Sequence, residues 1–217
     1  MSKKTVFRLG VAIVGISACI LFSACSQSTK PSTEETAEKP AEPAGPPQPV
    51  TAKAAFGEMY MSARDWSKDL VILKLTQKEI SGIKNEGGKA GMWEATFASP
   101  TRQEYRVYSY AVASGGEAAQ KGVSMSPALA WGGPTRDVMP VQVSDMGVDS
   151  DAIYNTAAGD AAAWLKKHPD KQITSFELGN AYKFQEPVWV VTWGDEKSGY
   201  RVFVSADTGK VFNKKKG

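Results

Sequence analysis

Hydrophobic positions divide the chain into three regimes. Residues 9–22 form an apolar run interrupted only by Gly and Ser, and residues 26–50 lose every aliphatic side chain except Val50 and small alanines. From residue 51 onward helical spacing and strict alternation take turns. In 51–67 (TAKAAFGEMYMSARDWS), Ala55, Met59 and Trp66 recur at helical spacing, while Phe56 and Ala63 widen the face. Thr51 is a candidate N-cap, because its hydroxyl can accept a free first-turn N–H. A strand is predicted at 70–75, a glycine-rich turn from Gly82 to Gly91, and strands near 92–98 and 104–112. Asp149-Ser150-Asp151 starts a second helix that runs to about Lys167 and stops at His168-Pro169. Strands are predicted at 172–178, 187–194 and 199–205. Asp207-Thr208-Gly209 then makes a tight turn into a short strand at 210–213.

Strands joined by short turns pair antiparallel, and a helix ahead of such a meander lies across one face of it. The pattern therefore predicts an α+β fold of two repeated units, 51–113 and 149–217, each an N-terminal helix on an antiparallel β-meander, with a connector at 114–148. The sequence itself echoes between the units. Residues 93–110 (WEATFASPTRQEYRVYSY) align with 189–205 (WVVTWGDEKSGYRVFVS) when the second loop is taken as one residue shorter than the first. Trp93 then meets Trp189, Thr96 meets Thr192, Phe97 meets Trp193, and Tyr105 meets Tyr200. Trp66 and Trp164 precede these at nearly the same offset, which argues for duplication.

The N-terminus is an address rather than part of the fold. Lys3, Lys4 and Arg8 precede the apolar run, and Ser23-Ala24-Cys25 ends it, as in a secretory signal over 1–24. The ending resembles a bacterial lipoprotein signal, in which the cysteine receives a diacylglycerol thioether and becomes the acylated mature N-terminus. Ile16-Ser17-Ala18-Cys19 fits the same pattern. Cys25 is the expected lipid-attachment residue because the polar SQSTKPSTEE follows it, whereas cleavage at Cys19 would leave Ile20, Leu21 and Phe22 on the mature chain. Residues 25–50, with six prolines and four glutamates after Cys25, read as an extended tether. At about 3.1 Å per residue it would reach about 80 Å. Ser26, where some inner-membrane lipoproteins carry Asp, implies the outer membrane facing the periplasm. In a cell without one, the anchor would lie at the outer face of the cell membrane. The whole chain has 26 basic and 23 acidic residues. Loss of residues 1–24 removes Lys3, Lys4, Arg8 and no acid, so the mature chain is balanced and offers no basic field for nucleic acid.

The second unit resembles a PepSY-type repeat. The likeness rests on the N-terminal helix, VWVVTW, GYRVFVSADTG and the closing Asp207-Thr208-Gly209-Lys210-Val211, and it covers about 149–213. The first unit shares the helix and central strands but lacks the DTGKV ending. The tandem is similar in fold to the beta-lactamase inhibitory protein. The resemblance implies an envelope protein with no catalytic residue to carry over, binding or inhibiting a protein partner such as a peptidase.

Candidate chemistry is sparse. Both cysteines, Cys19 and Cys25, lie outside the body, and His168 is the one histidine, so neither a thiolate nor a multi-histidine metal centre can form there. Asp207-Thr208-Gly209 lacks the second carboxylate motif of an aspartic peptidase and reads as a turn. Asp145, Asp149 and Asp151 have the wrong spacing for a calcium loop and read as helix caps. Lys214, Lys215 and Lys216 read as a solvated tail. No cofactor and no metal is expected. Aromatics carry the remaining interest: Trp93, Trp189 and Trp193 are core or line an exposed aromatic sheet face. Trp131, in Ala130-Trp131-Gly132-Gly133-Pro134, plugs the seam between units or marks a contact site. These four are the candidate partner-binding residues. The rival expectation is a small-ligand-binding lipoprotein using a concavity between two sheets.

Overall fold

The computed structural model describes residues 45–116, 119–181, 183–195 and 197–212. The signal segment, Cys19, Cys25, most of the tether and Lys214 to Lys216 lie outside them. In chain order come β1 (Val50–Thr51), α1 (Ala52–Trp66), β2 (Val71–Lys78), β3 (Lys89–Ala90), β4 (Met92–Ser99), β5 (Glu104–Ala111), β6 (Gly122–Met125) and β7 (Leu129–Ala130). A 3-10 turn (Val143–Asp145), α2 (Ser150–Leu165), β8 (Ile173–Gly179), β9 (Val188–Trp193) and β10 (Tyr200–Ser205) follow. The fold is α+β.

The two meanders share one antiparallel sheet, in the order β10-β9-β8-β2-β4-β5-β6, with β7 also on β5. β2 and β8, the first strand of each unit, pair through Leu75↔Leu178 and Thr76↔Glu177. This corrects the expectation of two sheets with a concavity between them. Each lone meander would expose the backbone of its first strand as a free edge, and pairing the two edges satisfies both. β1 and β3 form a separate ribbon.

Both helices cover the same face of the sheet. α1 buries Ala52, Ala55, Phe56, Met59 and Ala63, and α2 buries Ile153, Ala157 and Ala161. These join Trp93, Ala95, Phe97, Phe176, Leu178, Trp189, Val191 and Trp193 in one continuous core. Trp93 and Trp189 meet edge to face at 6.2 Å, with Phe176 against both at 6.0 and 5.3 Å. Edge-to-face packing suits the ring quadrupoles and adds about 1 kcal/mol per pair beyond burial.

The helices meet at their N-termini. The α1 amides of Ala52 and Lys53 donate to Ser150 Oγ (2.8 Å) and Asp149 Oδ1 (2.9 Å) at the start of α2. Asp149 Oδ1 also accepts from Ser150 N at 2.7 Å. One carboxylate thus caps two helices whose positive dipole ends face each other. The loop after β2 runs past this junction through Gly88. That residue has φ of +77°, and a Cβ there would overlap the Ser150 carbonyl oxygen, so only glycine fits.

Candidate functional site

Internal symmetry organises the site. β2 is bulged between Ile72 and Lys74 opposite β4, and β8 is bulged between Ile173 and Ser175 opposite β9. The pairings Ile72↔Phe97 and Lys74↔Thr96 in the first half recur as Ile173↔Trp193 and Ser175↔Thr192 in the second. Trp93 and Trp189, Thr96 and Thr192, and Phe97 and Trp193 are therefore structural counterparts. In this frame Thr76 is the counterpart of Glu177, and the two pair directly. The pseudo-twofold axis passes between them.

The Tyr105–Tyr200 match fails. Eight residues separate Phe97 from its partner Arg106, and six separate Trp193 from its partner Tyr200. The counterpart of Tyr200 is therefore Arg106. Tyr200 packs on the main core, while Tyr105 sits on the opposite face with Val71, Leu73, Ala98 and Trp131. The true equivalence shows in the aromatic contacts too. The Arg106 guanidinium lies 5.2 Å from the Trp66 ring, and Tyr200 lies 5.8 Å from Trp164.

Near the axis β2 and β8 stay paired over only these few residues and then part on both sides. On one side the gap is filled. Val141 exchanges two main-chain bonds with Ile72 (2.8 and 2.9 Å), and Met139 N donates to Asn180 O at 2.9 Å. Val141 is fully buried in the core. On the other side the strands enclose a cleft of about 730 Å³. Its walls are Gln77, Glu79 and the 80–88 loop on one side and Ile173, Thr174 and Ser175 on the other, with Tyr154 and Leu165 of α2 and the nearly buried Phe176 and Trp193 behind them. Among the described residues, nothing pairs with Ile173 on this side. Sequence reasoning missed this cleft because it depends on a strand pairing between residues far apart in the chain.

Three of the four tryptophan candidates are core. Trp93 and Trp189 are fully buried and Trp193 is 3 % exposed, so none presents an aromatic face to a partner. The helices cover the sheet face on which they lie, which is why that face is closed. Trp131 is half-buried. Its main-chain N–H donates to Gln103 O at 2.8 Å, and it packs beside Tyr105 on Val71, Leu73 and Ala98 of the open sheet face. It holds the start of the connector against the first unit alone, so it does not plug a seam between the two units.

The remaining chemistry is structural. Asp207-Thr208-Gly209 is a turn with Gly209 at φ of +68°. It returns the chain so that Val211 bridges Val204 and Phe212 N donates to Phe203 O at 2.6 Å. That position corresponds to Val123 of β6, which pairs with Tyr110, so the first unit reaches the same edge by a longer loop. His168 stacks on Trp164 at 4.4 Å. Asp69 accepts from Ser67 Oγ (2.6 Å), Ser99 Oγ (2.6 Å) and Thr101 N (2.7 Å), which holds its carboxyl well below the usual carboxylate range. Asp195, bonded to the Ser198 hydroxyl and amide in its own turn, is pushed down to about 2. Both organise tight turns and neither faces the cleft. Among the described residues no helix is long and apolar enough to cross a membrane, and no three His, Cys, Asp or Glu side chains cluster as metal ligands.

No family model matches this chain, and no curated protein matches it. A crystal structure of a candidate lipoprotein from Clostridium difficile 630 is similar to 73 % of this chain and 90 % of its own, at 10 % identity and a TM-score of 0.47.

Proposed function

We propose that this chain is a lipid-anchored lipoprotein of the bacterial cell envelope whose PepSY-like body is a non-catalytic module that binds a protein partner. The observation that carries the binding role is the cleft between β2 and β8. It joins unpaired strand backbone to apolar side chains, a combination suited to a polypeptide. The anchor rests on the signal-like residues 1–24, the small-residue approach to Cys25 and the Pro/Glu-rich tether. Two or more acyl chains give stable membrane attachment, at about 0.8 kcal/mol per buried CH₂.

The test uses the full chain in cells. A photo-crosslinking residue is placed at Lys84 or Gln172, both exposed at the cleft rim, and as a control at Met61, which is 68 % exposed on α1. One adduct of defined mass is expected from both rim sites and not from Met61. The same adduct from Met61, or none from the rim, would refute binding through the cleft. Cys25→Ala is expected to abolish fatty-acid incorporation and release the body from membranes. If Cys19→Ala does so instead, the anchor is misassigned.

A further inference from the structure

We propose that the cleft is a strand-addition site that takes an extended segment of the partner protein, paired through its main chain to Ile173 as Val141 pairs to Ile72. This deepens the protein-binding reading above and rests on it.

The internal symmetry supplies the template. Ile72 and Ile173 are counterparts, each facing the bulge of its own first strand. Ile72 lies opposite Phe97 and directs both its N–H and its C=O away from β4, to Val141. Ile173 lies opposite Trp193, and the adjoining bond runs from Gly194 N to Gln172 O at 3.0 Å. In an antiparallel ladder, residues flanked by such bonds do not bond each other but point their own groups to the opposite edge. The N–H and C=O of Ile173 therefore point into the cleft, as those of Ile72 point at Val141. An unpaired main-chain donor and acceptor beside apolar side chains forms the edge that β-augmentation uses.

The template also states what the occupant looks like. Met139-Pro140-Val141 is extended, carries a proline where no ladder donor is needed, and buries one β-branched side chain. Beside Ile173 the cleft offers the half-buried Ile83, Tyr154 and Leu165 to such a side chain. The rim carries both signs, in Lys84, Lys171, Glu79 and Glu86, so selection falls on an aliphatic residue in an extended main chain rather than on charge.

The probe is the peptide of residues 137–143 of this chain (Asp-Val-Met-Pro-Val-Gln-Val), added to the full-length protein in detergent micelles and followed by hydrogen exchange. Saturable protection is expected over 171–176 and 77–80, with half-saturation at or below about 1 mM. N-methylation of the valine that corresponds to Val141 removes its main-chain donor and is expected to weaken binding about fivefold or more. Three outcomes would overturn the proposal: protection over 71–73 instead, meaning that the peptide only displaces the internal segment; affinity indifferent to N-methylation, meaning that side chains alone dock; or no protection at any site. Should rim crosslinks form in cells while the peptide test fails, the partner binds the cleft by another mode and only the strand mechanism falls.

Discussion

Replacing Asp149 with alanine removes an acceptor that two helices share. Its Oδ1 takes Ser150 N at 2.7 Å and Lys53 N at 2.9 Å; Ser150 Oγ is taken up by Ala52 N at 2.8 Å, and the Thr51 Oγ1 contact to Ala54 N is long at 3.5 Å. Loss of one N-cap acceptor costs about 1 kcal/mol, so two helix starts lose about 2 kcal/mol. A carboxylate at a positive helix end adds about 0.5 kcal/mol per helix, which brings the total to about 3 kcal/mol. For a body of this size that lowers the melting temperature by roughly 6–12 °C. Asp149→Asn keeps the acceptor and loses the charge, so it should cost only about 1 kcal/mol. Urea denaturation of both variants beside the native chain is the assay, with an unchanged m-value showing that the same surface unfolds. An alanine variant within about 0.5 kcal/mol of native, the usual range for a surface substitution, would refute the shared cap. So would an asparagine variant as costly as alanine.

Two further outcomes follow from the geometry. Asp69 has a depressed folded pKa, so its contribution is full above the ordinary carboxylate value of 3.8 and is lost as pH falls toward the folded value. The stability gap between native protein and Asp69→Ala, measured by denaturation, should therefore be constant from pH 7 to 5 and narrow progressively below pH 3.8; a gap that widens there refutes the assignment. Trp131→Ala uncovers the open-face cluster of Val71, Leu73, Ala98 and Tyr105 and should cost about 1.5–2.5 kcal/mol, half the loss of a fully buried aromatic. An unchanged melting temperature would show that the connector is not held by this contact.

Much of this fold was legible in the residues themselves. Both helices and the six meander strands fall within a few positions of the periodicity, because each carries one apolar face against a common core. The alignment of Trp93 with Trp189 and Thr96 with Thr192 also gave the right register, since both pairs occupy the central strand of their half. The YRV match misled for a physical reason. Hairpin register is set by loop length, and one residue of slip turns every side chain to the other face. Identical letters at Tyr105 and Tyr200 thus conceal opposite orientations. The pairing of β2 with β8 and the burial of Val141 left no local signature. GVSM over Gly122–Met125 is too weakly apolar to announce an edge strand, and Val141 pairs across the fold rather than with its neighbours.

The internal symmetry also explains why the two gaps beside the axis differ. Joining two equal meanders through their first strands creates two equivalent places where those strands diverge, one flanked by Ile72 and one by Ile173. The connector crosses from the first unit to the second only once. It can fill one of them, and Met139 to Val141 fill the Ile72 side. A free strand edge invites uncontrolled pairing unless it is blunted. Here the 80–88 loop and the charged side chains of Lys84, Glu86 and Lys171 crowd the Ile173 side. Charged side chains at such an edge obstruct the approach of another sheet. The remaining gap is therefore bounded by its own rim, while its twin is closed by the connector.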